Sequence, residues 1–429
     1  MKCRFHLIPF VFISFILLLS HPAGLRAQTW TNLGLYGGQI YDIAIDPSDP
    51  DKMFAGSYMG DGLFVTTDGG AHWQAVETGG WLEGEDTFKN HAVWAVKIAP
   101  SDPDVVWAAH NYWVEKSTDG GQSWQHILNS TMQRDCASCG GMGDSFRFCR
   151  CVAVDPADPD IVYVGTGGPS GGYASGAVYK TVDGGITWNK LNPGEDFDHT
   201  VTDIAIYPQN SNRVWAATNS FGAGNIWAGT LYLSRDGGEN WEIIYTLDSG
   251  FTAVAVDPED SQRVFTASGY GVVEHFFDGT QWQSRFGVIS KCYVAEQVCF
   301  DPRDPEVMYA VWLTPVSWGG DGIGKIARSN DGGENWETYS HGGDFMSIAV
   351  HPAQSGVVFA GDRSLGVFRS RDQGQNWTPV NEGINAVIVY DLAVDPNDSD
   401  HLVAGTQSGL YERANPQSGW SRLLSYQIT

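Results

Sequence analysis

Carboxylates and aromatic side chains occur together in several long segments of the chain that show no regular pattern. Two pairs of acids are closely spaced, Glu85 with Asp86 and Asp196 with Asp198. Glycoside hydrolases use two carboxyl groups, about 5 Å apart when they retain the sugar's configuration and roughly 6.5–9.5 Å apart when they invert it. These four residues are the candidate catalytic acids, although adjacent acids are also common in ordinary solvated loops.

Aromatic, acidic and histidine residues in the same segments are candidate ligand contacts, because flat rings stack on sugar faces while carboxylates bond hydroxyl groups. The candidates for ligand binding are Trp81, His91, Tyr112, Trp113, Tyr173, His199, Trp227, Trp318, Asp321 and Asp344. Trp94 stands beside them, but Trp94 and Trp113 suit a hydrophobic core equally well. The acids also suit Ca²⁺, yet no EF-hand spacing is present, so calcium is left open and no other cofactor is expected.

The elements that must position these residues belong to an internal repeat. The pattern S/T-x-D-x-G-x-x-W, here called the repeat turn, recurs with its Asp residues about 41 to 64 positions apart. Such a period is typical of a four-stranded propeller blade. The complete copies are Thr66–Trp73, Ser117–Trp124, Thr181–Trp188, Ser234–Trp241, Ser329–Trp336 and Ser370–Trp377. A partial copy stands at Phe276–Trp282, and a last remnant keeps only Gly419 and Trp420.

An apolar alternation that ends in proline precedes each repeat turn. It occurs eight times, at Ile43–Pro47, Val96–Pro100, Val152–Pro156, Ile204–Pro208, Val254–Pro258, Val298–Pro302, Ile348–Pro352 and Leu392–Pro396. Alternation with a period of two predicts strands. The first unit predicts strand a at 43–46, strand b at 53–56, strand c at 63–66 and, after the turn, strand d at 73–76.

The repeats predict an all-β protein, a single β-propeller of eight four-stranded blades, because a ring of blades buries faces that one blade cannot bury alone. Seven blades is the alternative, since residues 30–33 and 420–424 both resemble a closing strand d. In each turn, the Asp is expected to accept backbone N–H bonds and the Gly to adopt a positive φ. Six residues are therefore assigned to the scaffold: Asp68, Asp119, Asp183, Asp236, Asp331 and Asp372.

These turns, with Asp-Pro after strand a, resemble the Asp boxes of the BNR-repeat propeller superfamily over nearly the whole chain. That superfamily includes sialidases, two-propeller xyloglucanases, sortilin-type receptors and a photosystem II assembly factor, so the resemblance implies the fold and leaves the function open. Sialidases need an Arg-Ile-Pro motif that this sequence lacks. Xyloglucanases of the superfamily place their cleft between two propellers, whereas this chain has residues for one.

The first 27 residues read as a secretory signal peptide, leaving residues 28–429 as the propeller domain. Lys2 and Arg4 precede an apolar run from Leu7 to Leu19, and Ala27 offers a small residue for cleavage. No membrane-spanning segment is expected after cleavage, and the protein is expected to be secreted or periplasmic. The formal net charge of −25 repels phosphate backbones, so no nucleic-acid partner is expected.

Six cysteines follow the signal segment. An even number in an exported chain predicts disulfides, although Cys-x-x-Cys followed by Cys-x-Cys also has a spacing that suits zinc. The residues are Cys136, Cys139, Cys149, Cys151, Cys292 and Cys299. The last two are the obvious local pair, and the other four allow three pairings that the sequence does not distinguish.

Every long connection is a d–a or a b–c loop, and these two kinds of loop share one rim of a propeller. Variable loops on a rigid scaffold are the usual place for function. The leading hypothesis is a monomeric binding propeller that recognises a polysaccharide or a protein through this long-loop rim. A glycoside hydrolase or polysaccharide lyase that uses loop carboxylates is the first alternative, and an assembly or scaffold factor for an exported complex is the second.

Overall fold

The computed structural model describes most of the chain after residue 36. The described residues are 37–57, 62–76, 92–110, 114–127, 149–167, 176–191, 199–219, 228–288, 294–313, 324–340, 344–363, 365–382, 384–386, 389–395, 398–406, 409–415 and 420–425. The predicted signal peptide and the possible closing strand at 30–33 lie outside them.

Each of the eight repeats forms one antiparallel four-stranded sheet, with strands a, b, c and d paired in chain order. A short strand β1 (Gly37–Gly38) precedes the first sheet. Blades 1 and 2 are β2 (Ile40–Ile45), β3 (Met53–Ser57), β4 (Leu63–Thr66), β5 (Gln74–Ala75), and β6 (Val93–Ala99), β7 (Asp102–His110), β8 (Val114–Ser117), β9 (Gln125–Ile127). Blades 3 and 4 are β10 (Cys149–Val154), β11 (Val162–Thr166), β12 (Val178–Thr181), β13 (Asn189–Leu191), and β14 (Thr200–Ile206), β15 (Val214–Asn219), β16 (Gly229–Ser234), β17 (Glu242–Leu247).

The remaining sheets repeat this order. Blades 5 and 6 are β18 (Phe251–Val256), β19 (Arg263–Ser268), β20 (Gly271–Phe277), β21 (Trp282–Val288), and β22 (Val294–Asp301), β23 (Asp304–Leu313), β24 (Lys325–Ser329), β25 (Glu337–Ser340). Blade 7 is β26 (Phe345–Val350), β27 (Val358–Asp362), β28 (Gly366–Ser370) and β29 (Thr378–Pro379). After β30 (Asn385–Ala386), a C-terminal sheet contains β31 (Val389–Asp395), β32 (Asp398–Thr406), β33 (Gly409–Arg413) and β34 (Ser421–Ser425).

Seven of these sheets close into a ring. The a strands of successive blades contact one another from blade 1 to blade 7, and the a strand of blade 7 contacts that of blade 1. The protein is therefore a seven-bladed β-propeller, the alternative given by the sequence, and the leading prediction of eight blades in the ring is wrong. The eighth repeat does fold into a four-stranded sheet, but the ring closes without it.

The chain enters and leaves the ring at the same place. Strand β1 pairs in parallel with β30, which follows blade 7, and Gly37 is the partner of Asn385. Trp73 of blade 1 donates its indole N–H to the carbonyl of Val380, 2.8 Å away. Arg369 of blade 7 donates to the carbonyl of Gly69 in the turn of blade 1 at 2.9 Å. These bonds join residues about 300 positions apart and hold the first blade to the last.

The hydrophobic core lies between the blades. Each pair of neighbouring blades shares one cluster of buried side chains, including the pair formed by blades 7 and 1. Aromatic residues of strand b meet the turn Trp of the next blade: Trp107 packs edge-on to Trp188 with ring centroids 6.2 Å apart. Apolar burial of this kind drives ring closure, because a blade alone would expose both faces.

In each complete repeat turn the Asp carboxylate is satisfied within the turn. Asp119 Oδ1 accepts from the backbone N–H of Ser123 at 2.8 Å and from the hydroxyl of Ser117 at 2.8 Å. The corresponding backbone bonds are present at Asp68, Asp183, Asp236, Asp331 and Asp372. These hydrogen bonds hold the pKa of Asp119 at about 2, so the carboxylate stays ionised and engaged in its turn.

The two rims of the ring differ. On one rim, the repeat turn lies beside the a–b turn of the same blade, as shown by the bond from the Gly69 amide to the Asp51 carbonyl at 2.9 Å. On the other rim, the end of the b–c loop of blade 3 meets the end of the d–a loop before blade 4, where the Gly176 amide bonds the His199 carbonyl at 3.1 Å. The d–a and b–c connections therefore share a rim, here called the long-loop rim.

Candidate functional site

Every strand a of the ring contains an irregularity at the same position. In blade 1 the pairing with strand b skips from Ile40 to Asp42, so Tyr41 has no partner in the ladder. An extra residue of this kind is a β-bulge, which bends the strand and re-aims a side chain. The bulged residues of blades 1 to 7 are Tyr41, Trp94, Arg150, Thr202, Thr252, Glu296 and Met346.

The seven bulged side chains converge on one pocket at the axis of the ring, here called the axial pocket. Its volume is about 430 Å³. Alongside the bulged residues, its wall includes Gln39, Asp42, Lys97, Cys151, Asp203, Gln297 and Arg363. Since each bulge lies near the start of strand a, and strand a begins at the long-loop rim, the pocket lies at that end of the ring.

One side of the axial pocket is an aromatic and cationic stack from blades 1 to 3. The rings of Tyr41 and Trp94 have centroids 4.4 Å apart with planes inclined by 34°. The guanidinium carbon of Arg150 lies 4.0 Å from the centroid of the Trp94 ring. Gln39 donates to the Tyr41 hydroxyl at 3.1 Å and fixes the edge of the stack. Flat surfaces of this kind bind rings through dispersion and cation–π contacts.

Two acids of the wall hold neighbouring blades together. Asp42 Oδ1 accepts from the Ile43 amide at 3.0 Å, and its Oδ2 accepts from the Val96 amide of blade 2 at 3.0 Å. Asp203 repeats this arrangement with the amides of Ile204 and Val254, both at 2.9 Å. Their carboxylate oxygens are directed at backbone groups, so their role is structural.

Lys97 adds a charge to this part of the wall. Its Nζ lies 2.6 Å from Asp42 Oδ2. Burial opposes the lysine charge, but the Asp42 carboxylate outweighs that effect and raises the pKa of Lys97. For Asp203 the effect of burial is the stronger one. It raises the pKa of Asp203 to about 6 despite the two amide bonds and the nearby Lys97 charge.

Glu296 is the acid of the pocket best suited to exchange a proton. Its side chain is 18% exposed, and its Oε1 lies 3.8 Å from the guanidinium of Arg363. Burial raises the pKa of Glu296 to about 7; Arg363 opposes this shift and the negative charge of Asp344 adds to it. Burial also raises the pKa of Asp344, again against Arg363. A carboxyl group half-protonated at neutral pH can act as a general acid.

Hydroxyl and amide side chains tie the other blades around the pocket. Thr202 donates to the carbonyl of Phe251 at 2.9 Å, and Thr252 donates to the carbonyl of Ala295 at 2.6 Å. Gln297 accepts from the amide of Ile348 at 2.6 Å. Each of these bonds crosses from one blade to the next, so the wall of the pocket is continuous and preorganised.

Most of the residues proposed from the sequence fall outside the described parts of the chain. These are the four candidate acids, Glu85, Asp86, Asp196 and Asp198, and the ligand candidates Trp81, His91, Tyr112, Trp113, Tyr173, Trp227, Trp318 and Asp321. Their roles stay predictions. His199 is half-buried at the start of blade 4, and Asp344 lies beside Arg363, whose amide donates to its carbonyl at 2.8 Å.

Sequence reasoning missed Tyr41, Arg150 and Glu296, and it left Trp94 between core and ligand contact. All four stand two residues before the first residue of the apolar alternation of their blade, so the repeat alignment contained a positional signal. The residue types give no signal, because an aromatic ring, a guanidinium and a carboxylate share no chemistry that marks a bulge.

The described cysteines are free thiols: Cys149 and Cys151 are buried and Cys299 is half-buried. Burial raises the pKa of all three, to about 12 for Cys299, which makes them unreactive. Cys136, Cys139 and Cys292 lie outside the described residues, and none of the three described cysteines forms a disulfide, so the structure does not show the disulfides expected from the sequence. Within the described ranges, no group of three or more His, Cys, Asp or Glu side chains is arranged to hold a metal ion.

No protein-family model matches the chain. A xyloglucanase from a Paenibacillus species is 23% identical over 445 residues, which cover 92% of this chain and 40% of the relative. The photosystem II assembly lipoprotein Ycf48 of Synechococcus sp. (strain CC9902) is 25% identical over 308 residues, covering 70% of this chain and 75% of the relative. The crystal structure of the GH74 xyloglucanase from Xanthomonas campestris aligns with a TM-score of 0.66 and 14% identity, over 94% of this chain and 70% of that one.

The names of these relatives point to different functions. The chain spans less than half the length of the curated xyloglucanases that it matches, with shares of 40%, 48% and 44% for three of them. In the parts of the chain that the structure describes, no helix has the length and hydropathy to cross a membrane. The chain is a β-propeller protein whose homologues include xyloglucanases and a photosystem II assembly factor.

Proposed function

We propose that this protein is an exported, polysaccharide-active propeller of the glycoside hydrolase kind, with the axial pocket as its sugar-binding site. One observation supports this above all: the pocket places an aromatic stack and a proton-exchanging carboxyl group on opposite sides of the ring. Trp94 belongs to blade 2 and Glu296 to blade 6. A sugar held against the stack presents its hydroxyl and glycosidic oxygens toward the acid.

Glu296 is the proposed proton donor to the glycosidic oxygen. Its raised pKa keeps a proton on a large share of the molecules at neutral pH. Asp344 is the proposed second carboxyl group, because its charge acts on Glu296 and its carbonyl accepts from the amide of Arg363, a residue of the pocket wall. The charge of Arg363 acts on both acids, since it opposes the rise in the pKa of each. Similarity to xyloglucanases supports a polysaccharide as the substrate class.

Hydrolysis of a polysaccharide thus replaces binding without catalysis as the leading hypothesis. Two predictions from the sequence are part of this proposal: residues 1–27 are a signal peptide, and the repeat turns are Asp boxes. Assembly of an exported complex is the second candidate. It is favoured by the similarity to Ycf48, which covers most of both chains, whereas the similarity to xyloglucanases covers less than half of those proteins.

The test is release of reducing sugar from xyloglucan and from unbranched β-glucans by the mature chain. Glu296→Gln keeps the size of the side chain and removes its proton exchange, so turnover should fall about 10²–10⁴-fold. Glu242→Gln is the matched control, because Glu242 is an exposed residue on the outer strand of blade 4, paired with Arg235 at 2.8 Å. Full activity in Glu296→Gln, or no turnover of any polysaccharide by the unaltered chain, would contradict the proposal and favour the assembly role.

A further inference from the structure

We infer that the axial pocket takes the terminal residue of a neutral sugar chain or branch, end-on along the ring axis, and does not bind the middle of a continuous chain. This inference rests on the proposed function and narrows its substrate. It follows from the closure of the wall, from the size of the pocket and from its balance of charge.

The wall of the pocket has no lateral opening between the described a strands. Each of the seven blades contributes one bulged residue to it, so the lining runs around the full circumference. Hydrogen bonds cross from blade to blade, as from the Val96 amide to Asp42 and from the Val254 amide to Asp203. A ligand therefore enters along the axis, and a polymer that enters along the axis leads with an end.

The size of the pocket sets how much of a chain it holds. A volume of about 430 Å³ lies at the lower end of the range of roughly 300–1,000 Å³ for small-molecule sites. Such a space accommodates about two sugar rings. A longer oligosaccharide must leave its remaining rings outside, toward the long-loop rim.

The charges of the pocket favour a neutral sugar. Three cations line the wall, Lys97, Arg150 and Arg363. Three acids face them, Asp42, Asp203 and Glu296. The chain as a whole has a formal charge of −25, so this local balance departs from the rest of the surface. Hydroxyl groups can bond both signs of charge, whereas a uronic acid would add a carboxylate beside Glu296.

The test is calorimetric titration with neutral gluco-oligosaccharides of one to six residues, together with a polymer before and after limited cleavage. We expect affinity to rise up to two or three residues and then to stay within about twofold. The number of binding sites per gram of polymer should rise in proportion to the number of chain ends. Borohydride reduction of the reducing ends and enzymatic removal of the branch-terminal residues distinguish the two sources of ends.

Variants locate the binding at the pocket. Trp94→Ala should weaken binding at least tenfold, and Met346→Trp, which narrows the pocket from blade 7 without removing a hydrogen bond to backbone, should do the same. Tyr270→Ala is the matched control, since Tyr270 is an aromatic residue of the same rim, 38% exposed, in the turn between β19 and β20. Circular dichroism melting shows whether each variant is folded.

Affinity that keeps rising to six residues, a count of sites that ignores chain ends, or unchanged binding in Met346→Trp would overturn the inference. If polysaccharide turnover depends on Glu296 but binding gives any of those three results, the proposed function stands and the end-on inference fails. Conversely, end-on binding without turnover would support the inference while contradicting hydrolysis. Absence of any carbohydrate binding would contradict both.

Discussion

The Nζ atom of Lys97 in blade 2 lies 2.6 Å from Oδ2 of Asp42 in blade 1, and the same oxygen accepts the Val96 amide. Lys97→Met would leave the buried carboxylate with only its two amide partners. We expect the free energy of unfolding to fall by about 1–3 kcal/mol, since a buried acceptor loses a charged donor that is itself partly exposed. Urea unfolding at pH 7 measures the change.

A double-mutant cycle checks that this change belongs to the pair. In the Asp42→Asn background, Lys97→Met should destabilise by clearly less than in the unaltered chain, because the charge to be balanced is gone. Equal effects of Lys97→Met in the two backgrounds would show that the contact across the blades contributes nothing of its own.

The pKa of Glu296 predicts how stability varies with pH. The folded-state pKa of about 7 lies above the ordinary value of 4.5, so the unfolded chain loses this proton at lower pH than the folded one. Rising pH therefore favours unfolding between about pH 4.5 and 7, by on the order of 1–3 kcal/mol from this group. Glu296→Gln should lose less stability than the unaltered chain across that window, as measured by urea midpoints. Parallel curves for the two proteins would argue against a buried, proton-retaining carboxyl group.

Alanine substitutions at two turn glycines distinguish the cost of backbone strain from the cost of steric crowding. Gly121 has a φ of +89°, and a Cβ there would lie 2.7 Å from Cε1 of Phe54 in the preceding blade. Gly279, in the partial copy of the turn, has a φ of +95° with no heavy atom within 4 Å of such a Cβ. Gly279→Ala should lower the free energy of unfolding by about 1–2 kcal/mol through strain alone. Gly121→Ala should lower it by a further 1–3 kcal/mol or so, through overpacking between blades 1 and 2.

Thermal or urea unfolding of the two variants gives the comparison. If Gly121→Ala lowers the free energy of unfolding no more than Gly279→Ala does, the turn of blade 2 is not tightly packed against Phe54.

The closure of the ring can be tested with two tryptophans. The indole N–H of Trp73 bonds Val380, beyond blade 7, whereas that of Trp124 bonds Gly121 in its own turn. Trp73→Phe should accelerate amide hydrogen exchange in both blade 1 and blade 7, because it removes a bond that joins them. Trp124→Phe removes the same indole group but should affect only its own turn and the adjoining strands. Local changes of similar extent in both variants would contradict closure between blades 1 and 7.

The strands were accessible to sequence reasoning because a local pattern specifies them. The alternation at Ile43–Pro47 lies within β2 and the turn after it, and the strand c predicted at 63–66 agrees with β4. The number of blades in the ring was not accessible in the same way. The repeat at Leu392–Pro396 looks like the other seven, and only contacts between distant residues decide which sheets close the ring.

The axial pocket was hidden for a related reason. A bulge arises where strand a must bend near the axis, and the bulged position of different blades is filled by residues as unlike as Tyr41, Thr252 and Glu296. Their convergence depends on the ring, so it cannot be seen in any one repeat. Asp344 was proposed from the sequence because it stands in a loop, next to the strand that contributes Met346, and its role stays a prediction.

A crystal structure of Glu296→Gln soaked with a neutral oligosaccharide tests the central claim most directly. The account predicts density for a terminal sugar ring inside the circle of bulged residues, stacked against Trp94 and within hydrogen-bond distance of residue 296, with the rest of the chain leading out along the axis. Density for the sugar elsewhere on the molecule, with the axial pocket holding only water, would contradict it.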